Sequence, residues 1–391
     1  MSSEQTARSG KLFRLPLTAH RLPLTAYQLG TGVTDAIDFF SPDYRTARER
    51  FRVAAQAAGA ALHALALDAT GPGGDALTID IAWLGDQRAR DIVLHTSGLH
   101  GVEAFAGSAI QLALLEQPPA LKAGALVVMH VLNPYGMAWL RRANENNVDL
   151  NRNFLGDGES WSGAPELYRR VDRVLNPPSP PAFDFFYLQA LLLALRHGFY
   201  PLKQAVAQGQ YEFPRGLFFG GNELQQGPRC CLEWLGRNLS RAQYVFALDV
   251  HTGLGRWGED TLLPEPGAGA TSSARLGKAL ERTLIDVTRD DTVAYVVRGG
   301  MGSMLPRALP GVAIDFVLQE LGTYPPLAVF HALREENRWH HHGSRSLDHP
   351  AKQRLREALC PTAPQWRAQV VEKGVGLVRA VADWTFKSGE Q

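Results

Sequence analysis

The sequence has only three cysteines in 391 residues; Cys230 and Cys231 are adjacent, and Cys360 lies far from both. That spacing excludes a disulfide framework and a paired-cysteine metal site, which leaves buried thiols as the expectation. Charge of one sign is not in excess either, since 40 Lys and Arg stand against 39 Asp and Glu, with no basic block. An electrostatic footprint for nucleic acid is missing, so a small-molecule or peptide partner is expected instead. Long apolar runs are lacking too. The longest, Phe185 to Leu195, is interrupted by Gln189, follows prolines at 177, 178, 180 and 181, and is too short to span a bilayer. The polar start, Met1 to Gly10, is not followed by an apolar core of signal-peptide length, so a soluble, cytoplasmic protein with no membrane partner is expected.

What is present is the composition of a globular chain, 45% hydrophobic and 20% charged, long enough for one large domain or two. Residues 1–36 read as a tail in which Arg14-Leu15-Pro16-Leu17-Thr18-Ala19 recurs as Arg21-Leu22-Pro23-Leu24-Thr25-Ala26. Prolines that close together disfavour a helix, and one tandem copy is far short of a solenoid. The body, residues 37–391, is expected to be one catalytic domain. It opens with a helix over Arg45 to Ala58, then strands over Ala61 to Leu67, Leu77 to Leu84 and Asp91 to His95. A small-residue helix, Phe105 to Glu116, and an apolar strand, Ala125 to Leu132, follow. Apolar strands alternating with helices indicate an α/β fold with a mixed, mostly parallel central sheet flanked by helices. From about 155 to 240 the pattern changes to a proline cluster, an apolar helix and loops, which reads as an insertion. Buried strands resume at Tyr244 to Val250, Thr292 to Val297 and Val312 to Leu318, with helices at Ser272 to Leu284, Ala328 to Arg338, Lys352 to Leu359 and Trp366 to Phe386.

The polar chemistry concentrates between Asn133-Pro134-Tyr135-Gly136 and Asp149-Leu150-Asn151-Arg152-Asn153-Phe154, with Arg141 and Arg142 between them. So much fixed polar chemistry in a short segment reads as the wall of a site. His100-Gly101-Val102-Glu103 and Asp249-Val250-His251 each stand just beyond a strand end, and Glu320 directly follows the strand that ends at Leu318. In open α/β sheets the binding crevice lies beyond the carboxyl ends of the strands. Two histidines and a glutamate form a catalytic zinc set that leaves a fourth position for water. Asp249 reads equally as a partner that orients His251 or as a structural acceptor.

In this order of motifs the chain resembles the zinc carboxypeptidase family of metallopeptidases, in a DUF2817-type branch. The pattern is His-x-x-Glu, then Asn-Pro-x-Gly with a later Arg and Asn-Arg, then a distant His, then a Glu. The resemblance spans about Leu94 to Thr323 and implies a zinc carboxypeptidase-like fold. It implies one Zn²⁺ held by His100, Glu103 and His251, Glu320 as the general base, and Arg142 as the cation that polarises the scissile carbonyl. Asn151 and Arg152 would hold a substrate carboxylate. The expected substrate is a peptide or acyl amino acid with a free carboxylate. Deacylation of an N-acyl amino acid, as in relatives similar to aspartoacylase, uses the same parts, and a non-catalytic peptide-binding relative is the third alternative. Asn147 stands where relatives commonly have Gly, which a left-handed backbone would accommodate. The cleft tyrosine of many relatives has no secure counterpart among Tyr211, Tyr295 and Tyr324. His340-His341-His342 reads as a solvated helical face.

Overall fold

A computed structural model of the chain describes residues 33–264, 269–285 and 296–388. The repeat within the expected tail lies outside the described residues, as do residues 292–295 of one expected strand and Tyr295. Helix α1 (Val33–Asp38) leads to α2 (Tyr44–Ala57), where Asp43 caps the N-terminus by accepting from the Thr46 amide at 2.8 Å. Tyr44, Ala47, Phe51 and Ala55 recur at three- and four-residue spacing, and that stripe is the buried face of α2.

The strands β1 (Ala61–Thr70), β2 (Ala76–Gly85) and β3 (Asp91–Ser97) come next. They are followed by α3 (Ala104–Glu116), β4 (Ala125–His130) and the short α4 (Pro134–Ala138). Residues 155–240 contribute α5 (Glu166–Leu175), α6 (Phe186–His197), α7 (Phe199–Ala207) and α8 (Gln226–Asn238), and none of the seven strands. The remainder supplies β5 (Tyr244–Gly253), β6 (Asp260–Pro264), α9 (Gly269–Ala279), α10 (Leu305–Ala308) and β7 (Ala313–Gly322). The helices α11 (Pro326–His342), α12 (Pro350–Leu359) and α13 (Pro364–Ser388) follow.

The sheet has the order β1-β2-β4-β3-β5-β7-β6. Its central strands β4, β3, β5 and β7 are mutually parallel, while β1, β2 and β6 run antiparallel to their neighbours. Burial follows position. Every residue of β4 is buried, as parallel strands covered on both faces require, whereas the edge strand β1 alternates between half-buried and exposed. On one face α3 and α13 pack against each other and against the sheet; Gly107 allows contact with Ser97 of β3, and Gly374 makes room for Ile110. The opposite face is packed by Trp234 and Leu235 of α8 and Leu305 of α10 against Ile79, Leu94, Val127 and Ala247.

The structure departs from the sequence reading at particular points. Strands β5 and β7 run further than expected, so His251 and Glu320 lie inside them as register partners, not beyond their ends. Polar residues ended those runs on the sequence, yet both are buried at the sheet's carboxyl edge. Edge strand β6 had no apolar signature strong enough to find. The helix expected at Ser272 to Leu284 ends earlier, at Ala279. His340 is buried and His341 and His342 half-buried, so the triplet is not a solvated face. Cys231 and Cys360 are buried as expected, and burial pushes both thiols up to about 12. No described helix is long and apolar enough to cross a membrane.

Two glycines permit the approach on which the site is built. A Cβ on Gly101 would fall 2.2 Å from the Gly136 Cα and 2.1 Å from its carbonyl carbon, both backbone atoms that cannot step aside. Gly101→Ala is expected to lower unfolding free energy by about 1–3 kcal/mol, the usual range for overpacking, read as a lower urea midpoint at unchanged slope.

Candidate metal centre and active site

Strand β3 delivers His100. The chain leaves Ser97 through Gly98 at φ +69°, where a side chain would strike Ala104 and Val131, and His100 precedes a 3₁₀ turn over Gly101–Glu103. The segment after β4 runs alongside, with the Leu132 amide donating to Ser97 O and the Asn133 amide to Gly98 O, both at 2.9 Å. The 3₁₀ turn is then pinned from the other side: the Gly101 amide donates to Arg142 O at 3.1 Å and the Val102 amide to Arg141 O at 2.8 Å. Asn133 keeps that segment folded, its Oδ1 accepting from the Gly136 amide at 2.8 Å and its Nδ2 donating to Arg142 O at 3.1 Å. The wall of the site is thus also the clamp on the ligand turn.

His100, Glu103 and His251 converge, each offering a ligand atom, all within 4.8 Å of one another, and all three are buried. His100 Nδ1 is 2.9 Å from Glu103 Oε1 and 3.1 Å from His251 Nδ1, and His251 Nδ1 is 3.3 Å from Glu103 Oε2. Two imidazole nitrogens and a carboxylate facing one another this closely need protons or a cation between them. The donor set fits a metal ion. The far nitrogens have carboxylate partners, His251 Nε2 with Asp249 at 2.7 Å and His100 Nε2 with Asp149 at 3.2 Å. Asp249 is held in turn by Thr96 Oγ1, which donates to it at 2.6 Å. A carboxylate on Nε2 leaves the Nδ1 lone pair for a metal. Asp249 faces His251 Nε2, the arrangement that the orienting reading of Asp249 requires. Asp149 went without a role on sequence, and only its aspartate-leucine-asparagine-arginine context marked it.

Electrostatics concentrate on the same atoms. Burial alone would lower the His251 pKa, but Asp249 and Glu103 together hold it well above the ordinary value. Burial would raise Glu103, yet His100 and His251 keep its carboxyl well below the usual range. Asp149 is likewise held low against burial by Arg142, Arg152 and His100.

Glu320 stands beside His251 in the β5–β7 register, nine-tenths buried, with Oε1 accepting from the Leu254 amide at 2.8 Å. Burial, with the Glu103 charge adding to it, pushes Glu320 up to about 7 against the opposing pull of His251. Arg142 reaches the same cluster. Its Nη1 donates to Glu103 Oε1 at 3.2 Å, its Nε donates to Asp149 Oδ2 at 2.9 Å, and its Nη2 lies 2.7 Å from His100 Nε2. The structure therefore brings together five of the expected site residues: His100, Glu103, His251, Glu320 and Arg142.

The Asn151–Arg152 pair is placed differently. Asn151 is half-buried, its Oδ1 accepting from the Met301 amide at 3.1 Å. Arg152 is wholly buried and does not present its guanidinium to an opening. Its Nε and Nη2 both donate to the carbonyl of Ala207 at the end of α7, at 3.0 and 2.5 Å, and its Nη1 donates to Asn151 O at 2.9 Å. Arg152 was expected to hold a substrate carboxylate; in this conformation the backbone carbonyl of Ala207 occupies its fork. The spacing of Asn151-Arg152 from Arg142 could place the residue but not reveal what fills its donors, since Ala207 is 55 residues away. Asn147 has φ +59°, in the left-handed region. Tyr211 donates to Arg152 O at 2.7 Å and Tyr324 to Glu357, so neither hydroxyl is directed at the cluster in this structure.

A family profile described as "Protein of unknown function (DUF2817)" matches residues 40–373. The chain belongs to the DUF2817 family. No curated protein matches it. Among solved structures it is similar to carboxypeptidase A from Helicoverpa armigera, at 12% identity and a TM-score of 0.44, over 87% of this chain and 74% of that one. It is also similar to bovine thrombin-activatable fibrinolysis inhibitor, solved in complex with tick carboxypeptidase inhibitor, at 10% identity and a TM-score of 0.47, over 90% and 99% of the two chains. Both likenesses are loose.

Loss of an orienting carboxylate costs metal sites roughly 10–100-fold in affinity, and Asp249→Asn is expected to fall in that range for Zn²⁺, measured by competition with a chromophoric chelator. Unchanged affinity would mean that His251 is not a ligand through Nδ1.

Proposed function

We propose that this DUF2817 protein is a zinc-dependent hydrolase that cleaves an amide bond next to a free carboxylate, in the manner of a metallocarboxypeptidase. The observation that carries the reading is the convergence of His100 Nδ1, His251 Nδ1 and the Glu103 carboxylate beside a nine-tenths-buried Glu320. A zinc ion held by those three residues would supply Lewis acidity, activating water and polarising the scissile carbonyl. Glu320 takes the proton of the attacking water and returns it to the leaving nitrogen; a carboxyl of pKa near 7 suits both transfers. Arg142, at the edge of the cluster, faces the oxyanion that develops on the carbonyl. Asp249 keeps the His251 imidazole turned with Nδ1 inward.

The preference for a free carboxylate rests on Arg152 and Asn151. The Nε–Nη2 edge of Arg152 is the edge that grips a carboxylate with two parallel bonds, and Ala207 O sits on it as a single neutral acceptor. A substrate carboxylate is the stronger acceptor and replaces it when the end of α7 gives way.

The first test is metal content by elemental mass spectrometry. About one zinc per chain, absent from His251→Ala, is the expected result; a folded wild type that takes up none would end the proposal. Glu320→Gln is expected to keep its zinc and lose turnover by roughly 100-fold or more. Amidating the C-terminus of a cleaved peptide is expected to slow hydrolysis roughly 100-fold, the loss of a charge-assisted pair. Equal rates on free and amidated peptides would remove the carboxylate requirement, and turnover of N-acyl amino acids in place of peptides would assign a deacylase.

A further inference from the structure

Helix α6, with the sequence Phe-Tyr-Leu-Gln-Ala-Leu-Leu-Leu-Ala-Leu-Arg-His, is apolar around its circumference yet stands at the surface. Such a composition ordinarily belongs to a helix enclosed by protein. Here only Phe186 is buried, stacked against Phe330 and His331 of α11. Leu195 is 75% exposed, Phe185 63%, Leu192 57%, Leu191 55% and Leu188 53%. Nine large apolar side chains between Phe183 and Tyr200 are about half exposed or more. Together they present about 1,000 Å², against roughly 300–600 Å² for the largest patch on a typical monomer.

The helix is fixed in place. Asp184, just before it, pairs with Arg334 at 2.5 Å and Arg338 at 3.2 Å on α11, and Phe186 anchors its first turn. The apolar face is therefore a platform held from beneath.

We infer that this face, α6 with the first turn of α7, is a self-association surface on which the chain pairs with a second copy of itself, α6 against α6 about a twofold axis. Three observations select that occupant. The first is area: a stable interface needs about 800 Å² from each partner, and the exposed apolar surface here is of that order. The second is pattern. Leu188, Leu192 and Leu195 recur at four and then three residues, the spacing of a helix-pairing seam, flanked by Leu191, so the same stripe on a second copy is its own complement. The third is charge. Residues 185–195 include no aspartate, glutamate, lysine, arginine or histidine, so nothing here selects a foreign partner by charge. The same lack argues against a lipid surface, because interfacial helices carry a lysine- and arginine-rich polar face and α6 has only Gln189 before Arg196 and His197.

The test is the mass of the full chain in solution by light scattering, with Leu191→Asp/Leu195→Asp as the variant. At roughly 10 µM the wild type is expected at twice 42.9 kDa and the variant at 42.9 kDa, with an unchanged circular dichroism spectrum. Val53→Asp, which alters an exposed residue on α2, serves as the control and is expected to remain paired. Should the double variant fail to fold, Leu192→Gln is expected to weaken pairing at least about tenfold. A wild type that stays at one chain mass overturns the proposal. So does a folded double variant that stays paired. A monomer that floats with phosphatidylcholine–phosphatidylglycerol vesicles overturns it in favour of a membrane.

Discussion

One buried carboxylate joins the parts of this molecule that matter for chemistry. Glu103 closes the 3₁₀ turn that leads from β3 into α3, and its two oxygens meet His100, His251, Arg142 and the amide of Thr252 at 2.9 to 3.3 Å. Those partners arrive from three separate places in the chain: the turn after β3, the segment after β4, and β5. A charge buried so deeply is tolerable only when every lone pair is used, and here each oxygen has two partners. The geometry of the cluster therefore depends on the sheet order. With β3 between β4 and β5, the carboxyl ends of three parallel strands open on one point.

The second requirement is the close crossing of the ligand turn and α4. Gly101 lies against Gly136 with no room for a side chain on either, and the carbonyls of Arg141 and Arg142 accept the turn's amides. The Asn133–Arg142 stretch thus performs two tasks. Its backbone fixes where His100 points, and its last side chain supplies the cation beside the ligands. A change that loosens the backbone disturbs the His100, Glu103 and His251 group even when none of the three is touched.

The sheet and the convergence of His100, Glu103 and His251 were legible in the sequence because both leave local signals. The apolar runs at β3, β4 and β5 and the His-x-x-Glu turn are read within a few residues. Glu320 and His251 were found by position, although the strands that carry them run further than apolar content alone suggested. The surroundings of each side chain were not legible. Arg152 could be placed beside the site by spacing, but its burial under the end of α7 depends on a contact 55 residues away. Asp149 as a partner of His100 depends likewise on a fold that returns the segment after β4 to the turn after β3. His340 looked solvated because its helix is rich in charge, yet Glu335, Glu336 and Arg338 of that helix are themselves buried in ion pairs.

The carbonyl that fills the Arg152 fork belongs to α7, and α7 is separated from α6 by the single residue Gly198, at φ +82°. The apolar face and the arginine's plug are consequently two ends of one helical elbow. An occupant of the outer arm would therefore lie one residue from the helix whose last carbonyl caps a guanidinium that no solvent reaches.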